Sequence, residues 1–357
     1  MSAVAAMPDG HDGRIENVQI LRFFAAAVVL LTHISFYVSA RIDPAFGIWH
    51  PGAAGVSLFF VISGVVIYLS GAELPRTGPG ATDFMRKRVL RIFPLYWLIT
   101  TFKLVLALAL PAALVGNQPT LGYTLASYFL VPMTNAFGNV EPLHGVGWSL
   151  LHEMYFYYLF AAALLLRASP FAVCSAVIVG LWLVGLALPT DFAMVRVAVS
   201  EQNLLFIAGM TLAYLYRRGL RLPQVLAWVL FIGGLLLMLS DSARNLWFPL
   251  FKRFDIGAVM IMLGAMSMRM NVFPRMRQML ARLGDSSYAL YLIHPILAPA
   301  LCLVMWKLHV TSVPLIIVAT ALISIVAGHL VFLFVETPLN GRARRLWQAS
   351  KPLSQTA

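Results

Sequence analysis

An arginine and a histidine, Arg22 and His33, bracket ten residues, FFAAAVVLLT, that carry no charge. Eleven helical steps bring His33 to about 20° past three full turns from Arg22, so the two side chains share one helix face about 16 Å apart. An ionisable group inside a lipid-crossing helix is costly and is a functional candidate by default. An imidazole can act as a general base, and a guanidinium presents forked donors that suit phosphate or carboxylate. The plainer alternative has Arg22 snorkelling to headgroups while His33 bonds a neighbouring carbonyl.

Four further stretches carry polar chemistry inside apolar surroundings. In WSLLHEMYFYYLF, Glu153 is the sole acid well inside an apolar segment, and a carboxylate beside an imidazole would orient the ring and stabilise its protonated form. Its neighbour His152 points about 100° away. In FMRKRVLRIFPLYW, Arg88 and Arg91 lie three apart on one face and can meet phosphate bidentately, although such clusters also serve membrane orientation. In LGDSSYALYLIHPIL, Asp285 or Ser286 can cap a helix bearing His294, and Pro295 is expected to loosen that helix. FVETPL puts Glu336 at the end of the last apolar segment, where an ion pair with Arg342 or Arg345 is the simplest expectation.

These residues need a membrane bundle to hold them. The chain has 357 residues, 60% hydrophobic and only 11% charged, with a mean hydropathy of +0.82. That composition excludes an ordinary soluble domain. Ten apolar segments approach the roughly 20 residues a helix needs to cross lipid. They are placed at 18–40, 53–71, 88–113, 147–167, 171–189, 202–217, 223–240, 254–270, 286–306 and 312–335. YTLASYFLVPM, 123–133, is too short to span and is expected to be a partial element on the outer side. The predicted fold is therefore all-α, a polytopic transmembrane helical bundle. Residues 1–17 and 341–357 are expected to be cytoplasmic tails flanking one membrane domain over 18–340. The N-terminal tail has no basic stretch followed by an apolar core, so no cleaved signal is expected.

Orientation follows from basic residues. With the N-terminus inside, 18 of the 26 Lys and Arg fall on cytoplasmic segments, 6 outside, and Arg22 and Lys103 within spans. The formal charge of +12 thus needs no nucleic-acid partner. Cys174 and Cys302 lie far apart in apolar runs and suggest buried thiols rather than a disulfide or metal site.

Taken together, Arg22-x10-His33, GVSLFFVISGVVI (55–67), Arg88-Val89-Leu90-Arg91, WSLLHE (148–153), SYALYLIH (287–294) and Glu336-Thr337-Pro338 resemble, in order and spacing, the acyltransferase 3 family of integral membrane acyltransferases. NVQILRFFAA and PLHGVGWSLLHEMYFY are most similar to its exopolysaccharide O-acetyltransferase branch. The resemblance implies transfer of an acyl group, usually acetyl, from cytoplasmic acyl-CoA to a glycan hydroxyl. It assigns His33 as the essential histidine and Arg22, Arg88 and Arg91 to the CoA end. Many relatives append a soluble domain that completes transfer outside, and this sequence contains none.

The resulting expectation is a multi-pass protein of a bacterial cytoplasmic membrane. His33 acts as base with Glu153 beside it, and an acyl-histidine intermediate is the other route. Trp148, Ser149, Tyr288 and His294 line the acceptor cavity. No tightly bound cofactor or metal is expected; acyl-CoA is a substrate, and the partners are the bilayer, the glycan and polysaccharide assembly proteins. Two rival readings are a proton-coupled glycan transporter and a non-catalytic export subunit.

Overall fold

A computed structural model of the chain describes residues 12–109, 120–188, 190–239, 253–268 and 273–349. The ends of four expected segments (110–113, 189, 240 and 269–270) and parts of both tails (1–11 and 350–357) lie outside the described residues. The regular secondary structure of the described residues is all helical, with one isolated bridge between Thr134 and Val140. The helices are α1 (Asp12–Arg41), α2 (Ala54–Gly71), α3 (Gly78–Ala109), α4 (Leu121–Tyr128), α5 (Trp148–Leu165), α6 (Pro170–Ala187) and α7 (Ala193–Ala198). They continue with α8 (Leu204–Arg217), α9 (Gln224–Leu239), α10 (Arg253–Ser267), α11 (Pro274–Asp285), α12 (Ser287–Lys307), α13 (Val313–Val331) and α14 (Thr337–Ala349).

Each of the ten apolar segments contains one long helix. Six stretches are long and apolar enough to cross a membrane: Glu16–Arg41, His50–Gly71, Gly78–Ala109, Pro170–Ala187, Ser287–Lys307 and Val313–Trp347. The other four fall short for separate reasons. α8, α9 and α10 have 14, 16 and 15 residues, and α5 carries His152, Glu153 and three tyrosines. The expected loop between the eighth and ninth segments contains α11, an amphipathic helix with Arg275, Arg277 and Arg282. YTLASYFLVPM forms the short α4 and an irregular turn in which Leu130 has φ 51°.

Local chemistry explains the boundaries. Ser169 caps α6 and Pro170 opens it, while Thr120 caps α4 by accepting a bond from Tyr123 N. Ser286 does not cap α12; its hydroxyl donates to Leu283 O, and α11 runs into α12 with only this residue between them. Pro295 and Pro299 lie inside α12 without ending it.

The core forms where α2, α5 and α8 meet. Phe156 stacks on Phe206 at 4.6 Å, and Phe60 lies 4.9 Å from Phe206. α2 and α8 approach until glycine is required. A Cβ on Gly64 would stand 2.2 Å from Phe206 O, and one on Gly209 would stand 2.1 Å from Val61 O. α1 crosses α2 just as tightly, with Gly55 against Ala25 O and Gly52 against Val28 O and Thr32. Buried Asn17 donates to Ala265 O and Met268 O, satisfying carbonyls at the end of α10.

Candidate active site

α1 holds both Arg22 and His33 as one uninterrupted helix, and each meets a separate polar cluster. At the His33 end, Nδ1 lies 3.0 Å from Val29 O and 3.4 Å from His294 Nε2. The two rings meet edge-on with centroids 4.8 Å apart. A carbonyl can only accept, so the His33 Nδ1 bears the proton and Nε2 keeps the lone pair. His294 repeats the pattern, with Nδ1 3.2 Å from Leu290 O, which leaves its Nε2 to accept from His33. Pro295 has no N–H for Tyr291 O, and the His294 ring beside it is buried.

Around this pair lie groups from the loop before α5. His144 Nε2 is 2.9 Å from Leu292 O, and Tyr291 donates to Val146 O at 3.0 Å. Ser149 Oγ lies 2.9 Å from the Tyr291 hydroxyl. Ser149 is thus joined to Tyr291, whose ring lies 5.7 Å from that of His294, while Trp148 packs against Phe60 and His152, and Tyr288 donates to Ile92 O at 2.8 Å. His152 is held by Asn203 at 2.9 Å and has no part in the pair.

Glu153 is not beside His33. It accepts from the Tyr157 hydroxyl one turn along α5 and from Ser63 of α2 at 3.2 Å. Ser63 is eight residues, about 12 Å, beyond Gly55, which already packs against Ala25 and Val29 on the Arg22 side of His33. The expected pairing assumed that α5 begins at the outer membrane surface. Instead the preceding loop is tied into the bundle: Leu143 N donates to Ser127 Oγ, and His144 reaches α12. α5 thus starts at the histidine level, and Glu153 arrives one and a half turns deeper.

The second cluster is ionic. Arg22 lies within electrostatic range of Arg91, Glu153, Glu336 and Asp285, and its one hydrogen bond among the described residues is a 3.3 Å contact to Gln19. Arg88 donates to Ser70 at 2.8 Å and lies over the rings of Phe84 and Tyr157 at 5.3 and 5.8 Å. Arg91 feels both Asp285 and Glu336. Three guanidiniums from α1 and α3 thus face three carboxylates from α5, α11 and the end of α13.

Glu336 was expected to pair locally with Arg342 or Arg345, but it is 3% exposed and turned towards Arg22 and Arg91. Its Oε2 has no hydrogen bond among the described residues. The cause is a π-helical turn over Phe332–Glu336, whose wider winding rotates the end of the helix inward. Glu336 and Asp285, expected from sequence as an ion-pair partner and a helix cap, lie instead in this cluster, and Tyr157 joins them through Glu153 with no sequence signal of its own.

No metal-binding group of three or more His, Cys, Asp or Glu occurs among the described residues. Both cysteines are free and buried.

The chain resembles known proteins along most of its length. A family model described as an acyltransferase domain matches residues 15–332. The exopolysaccharide production protein ExoZ of Rhizobium meliloti is 31% identical over 308 residues, covering 83% of this chain and 92% of that protein. Nodulation protein 10 of Rhizobium leguminosarum bv. viciae is 31% identical over 163 residues, 41% of this chain and 43% of that protein. No solved structure matches. An all-helical, membrane-type bundle with this match over nearly its whole length belongs to the acyltransferase 3 family of integral membrane acyltransferases.

Proposed function

We propose that the protein moves an acyl group, acetyl in the first instance, from cytoplasmic acyl-CoA to a hydroxyl of a surface or secreted polysaccharide or of its lipid-linked precursor. The acceptor class rests on the similarity to ExoZ, an exopolysaccharide production protein. In this reading ten helices cross a bacterial cytoplasmic membrane with both termini inside, so that Arg22, Arg88 and Arg91 face the CoA compartment and His33 lies in the outer half.

The observation that carries the reading is the tautomer of His33. Its Nδ1–H is committed to Val29 O and His294 Nε2, which leaves Nε2 free to take a proton. CoA phosphates would lie on the guanidinium cluster while the pantetheine arm follows α1 towards His33, putting the thioester near the histidine pair. His33 Nε2 takes the acceptor's proton as its oxygen bonds the thioester carbon. The C–S bond then breaks, and the proton passes from His33 to the departing thiolate. His294 stabilises the transient imidazolium by accepting from Nδ1–H. Ser149 and Tyr291 are the hydroxyls nearest to the acceptor side. Glu153, held by Tyr157 and Ser63, serves the arginine cluster in place of the base role expected from sequence.

The deciding experiment incubates protein in lipid nanodiscs with acetyl-labelled acetyl-CoA and candidate glycans. Label should appear as a base-labile ester on the glycan, with one free CoA released per ester. Glycan or proton movement without CoA release would instead support a transporter.

A further inference from the structure

A cavity of about 310 Å³ opens at the feet of α2, α6 and α8, away from both clusters of the active site. It is lined by Arg76, Arg217 and Arg218, by Ser169, and by Tyr68, Phe171 and Tyr214. α2 ends at Gly71, α6 begins at Pro170 and α8 ends at Arg217, so the cavity lies at the level where apolar spans give way to headgroups. Arg88 belongs to another compartment: it bonds Ser70, which points about 200° around α2 from both Tyr68 and Ala72 of the cavity wall.

The three cations differ in what they already do. Arg217 is paired with the exposed Glu73 at 2.7 Å, and Arg218 lies over Tyr214 at 5.0 Å. Arg76 meets no acid among the described residues. The pocket therefore presents three guanidiniums against one local carboxylate, together with the Ser169 hydroxyl. The aromatic side is self-satisfied: Phe171 stacks on Tyr214 at 5.5 Å, and Tyr68 meets both rings edge-on. With Phe171 and Arg218 both against Tyr214, no open ring face remains there for a purine. Beside the cavity, Leu165 and Leu166 are exposed, and α6 leaves most of its apolar surface uncovered. A phosphate site continuous with a naked apolar helix fits a molecule with a charged head and hydrocarbon tails.

We propose that this pocket binds the phosphodiester headgroup of an anionic phospholipid, with the acyl chains lying along α6. Basic pockets between membrane helices are suited to such headgroups, and guanidinium forks match phosphate oxygens. The arginines would hold one lipid in a defined place at the junction of α2, α6 and α8. This role is independent of the transfer reaction proposed above.

The test measures lipid retention by native mass spectrometry on protein titrated with dioleoylphosphatidylglycerol or dioleoylphosphatidylcholine. Phosphatidylglycerol should be retained selectively. Arg76→Gln with Arg218→Gln should weaken its binding about thirtyfold, because each basic side chain contributes about fivefold near a headgroup. The pair Arg344→Gln and Arg345→Gln removes the same charge from exposed positions on α14, a helix that meets the foot of α3 through Trp347 and Arg86, and should change binding less than about threefold. Arg76→Gln alone should cost about fivefold and disturbs no protein ion pair, so it reads the site even if the double variant fails to fold. Equal loss in both pairs would reduce the effect to general surface charge and overturn the site. Unchanged retention would overturn it directly. Displacement of phosphatidylglycerol by free CoA would reassign the pocket to the nucleotide.

Discussion

Replacing His294 with alanine tests the pairing of the two histidines. His33 keeps its tautomer in this variant, because Val29 O still accepts from Nδ1. The loss is the His294 Nε2 acceptor, which matters most when His33 becomes an imidazolium during transfer. A hydrogen bond to a charged group contributes about 1.5–3 kcal/mol, and the 3.4 Å separation argues for the low end. At about 1.4 kcal/mol per factor of ten, kcat should fall about tenfold while KM for acetyl-CoA stays nearly constant. His33→Ala should cost much more, about 10²–10⁴-fold, because it removes the base itself. Added to His33→Ala, the His294 change should cost less than about twofold further, since its partner is already gone. Glu153→Gln should behave differently and lower KM for acetyl-CoA, since it removes a carboxylate that competes with phosphate for the arginine cluster. The assay is initial-rate release of CoA from reconstituted protein, with glycan ester counted in parallel. Full activity in His294→Ala, or a tenfold loss that multiplies with that of His33→Ala, would refute the coupling.

Arg91→Ala should raise KM for acyl-CoA about tenfold with little change in KM for the glycan, and Arg91→Lys should restore only part of the loss, because an ammonium lacks the guanidinium fork. Glu336→Gln should tighten acyl-CoA binding, measured by isothermal titration, since it removes a carboxylate that competes with phosphate for Arg22 and Arg91; unaltered affinity would detach it from the cluster. Gly64→Ala should destabilise the protein by about 1–3 kcal/mol in thermal melts because its methyl meets Phe206 O, whereas Gly122→Ala, with nothing within 4 Å, should be close to neutral. Reporter fusions after Gln118 and after Arg221 should read outside and inside respectively; the reverse pattern would place the arginine cluster on the wrong face for CoA.

The shared helix face of Arg22 and His33 was legible because it depends only on helical periodicity within one uninterrupted segment. The positions of the long helices were legible for a similar reason, since apolar runs between polar breaks mark them. Depth across the membrane was not. The level of Glu153 depends on where α5 begins, and that is set by bonds to other elements, Leu143 to Ser127 and His144 to Leu292. Glu336 misled for another reason. A π-helical turn shifts the direction of the side chain without changing hydropathy, so its inward turn leaves no periodic trace. The contact between His33 and His294 leaves no trace in the sequence, because the two residues lie 261 positions apart and meet only when α12 packs on α1.

The rigid span of α1 between the cationic cluster and the histidine pair works as a ruler. Eleven residues fix about 16 Å between the place where a donor's charged head can rest and the place where its acyl carbon must react. A donor whose phosphate sits next to its acyl group cannot be at both marks, so acetyl phosphate should fail as a substrate however well the arginines hold it. Only a carrier with a flexible arm of pantetheine length can touch both. Shortening that arm in a CoA analogue by a few bonds should then abolish turnover while leaving binding largely intact.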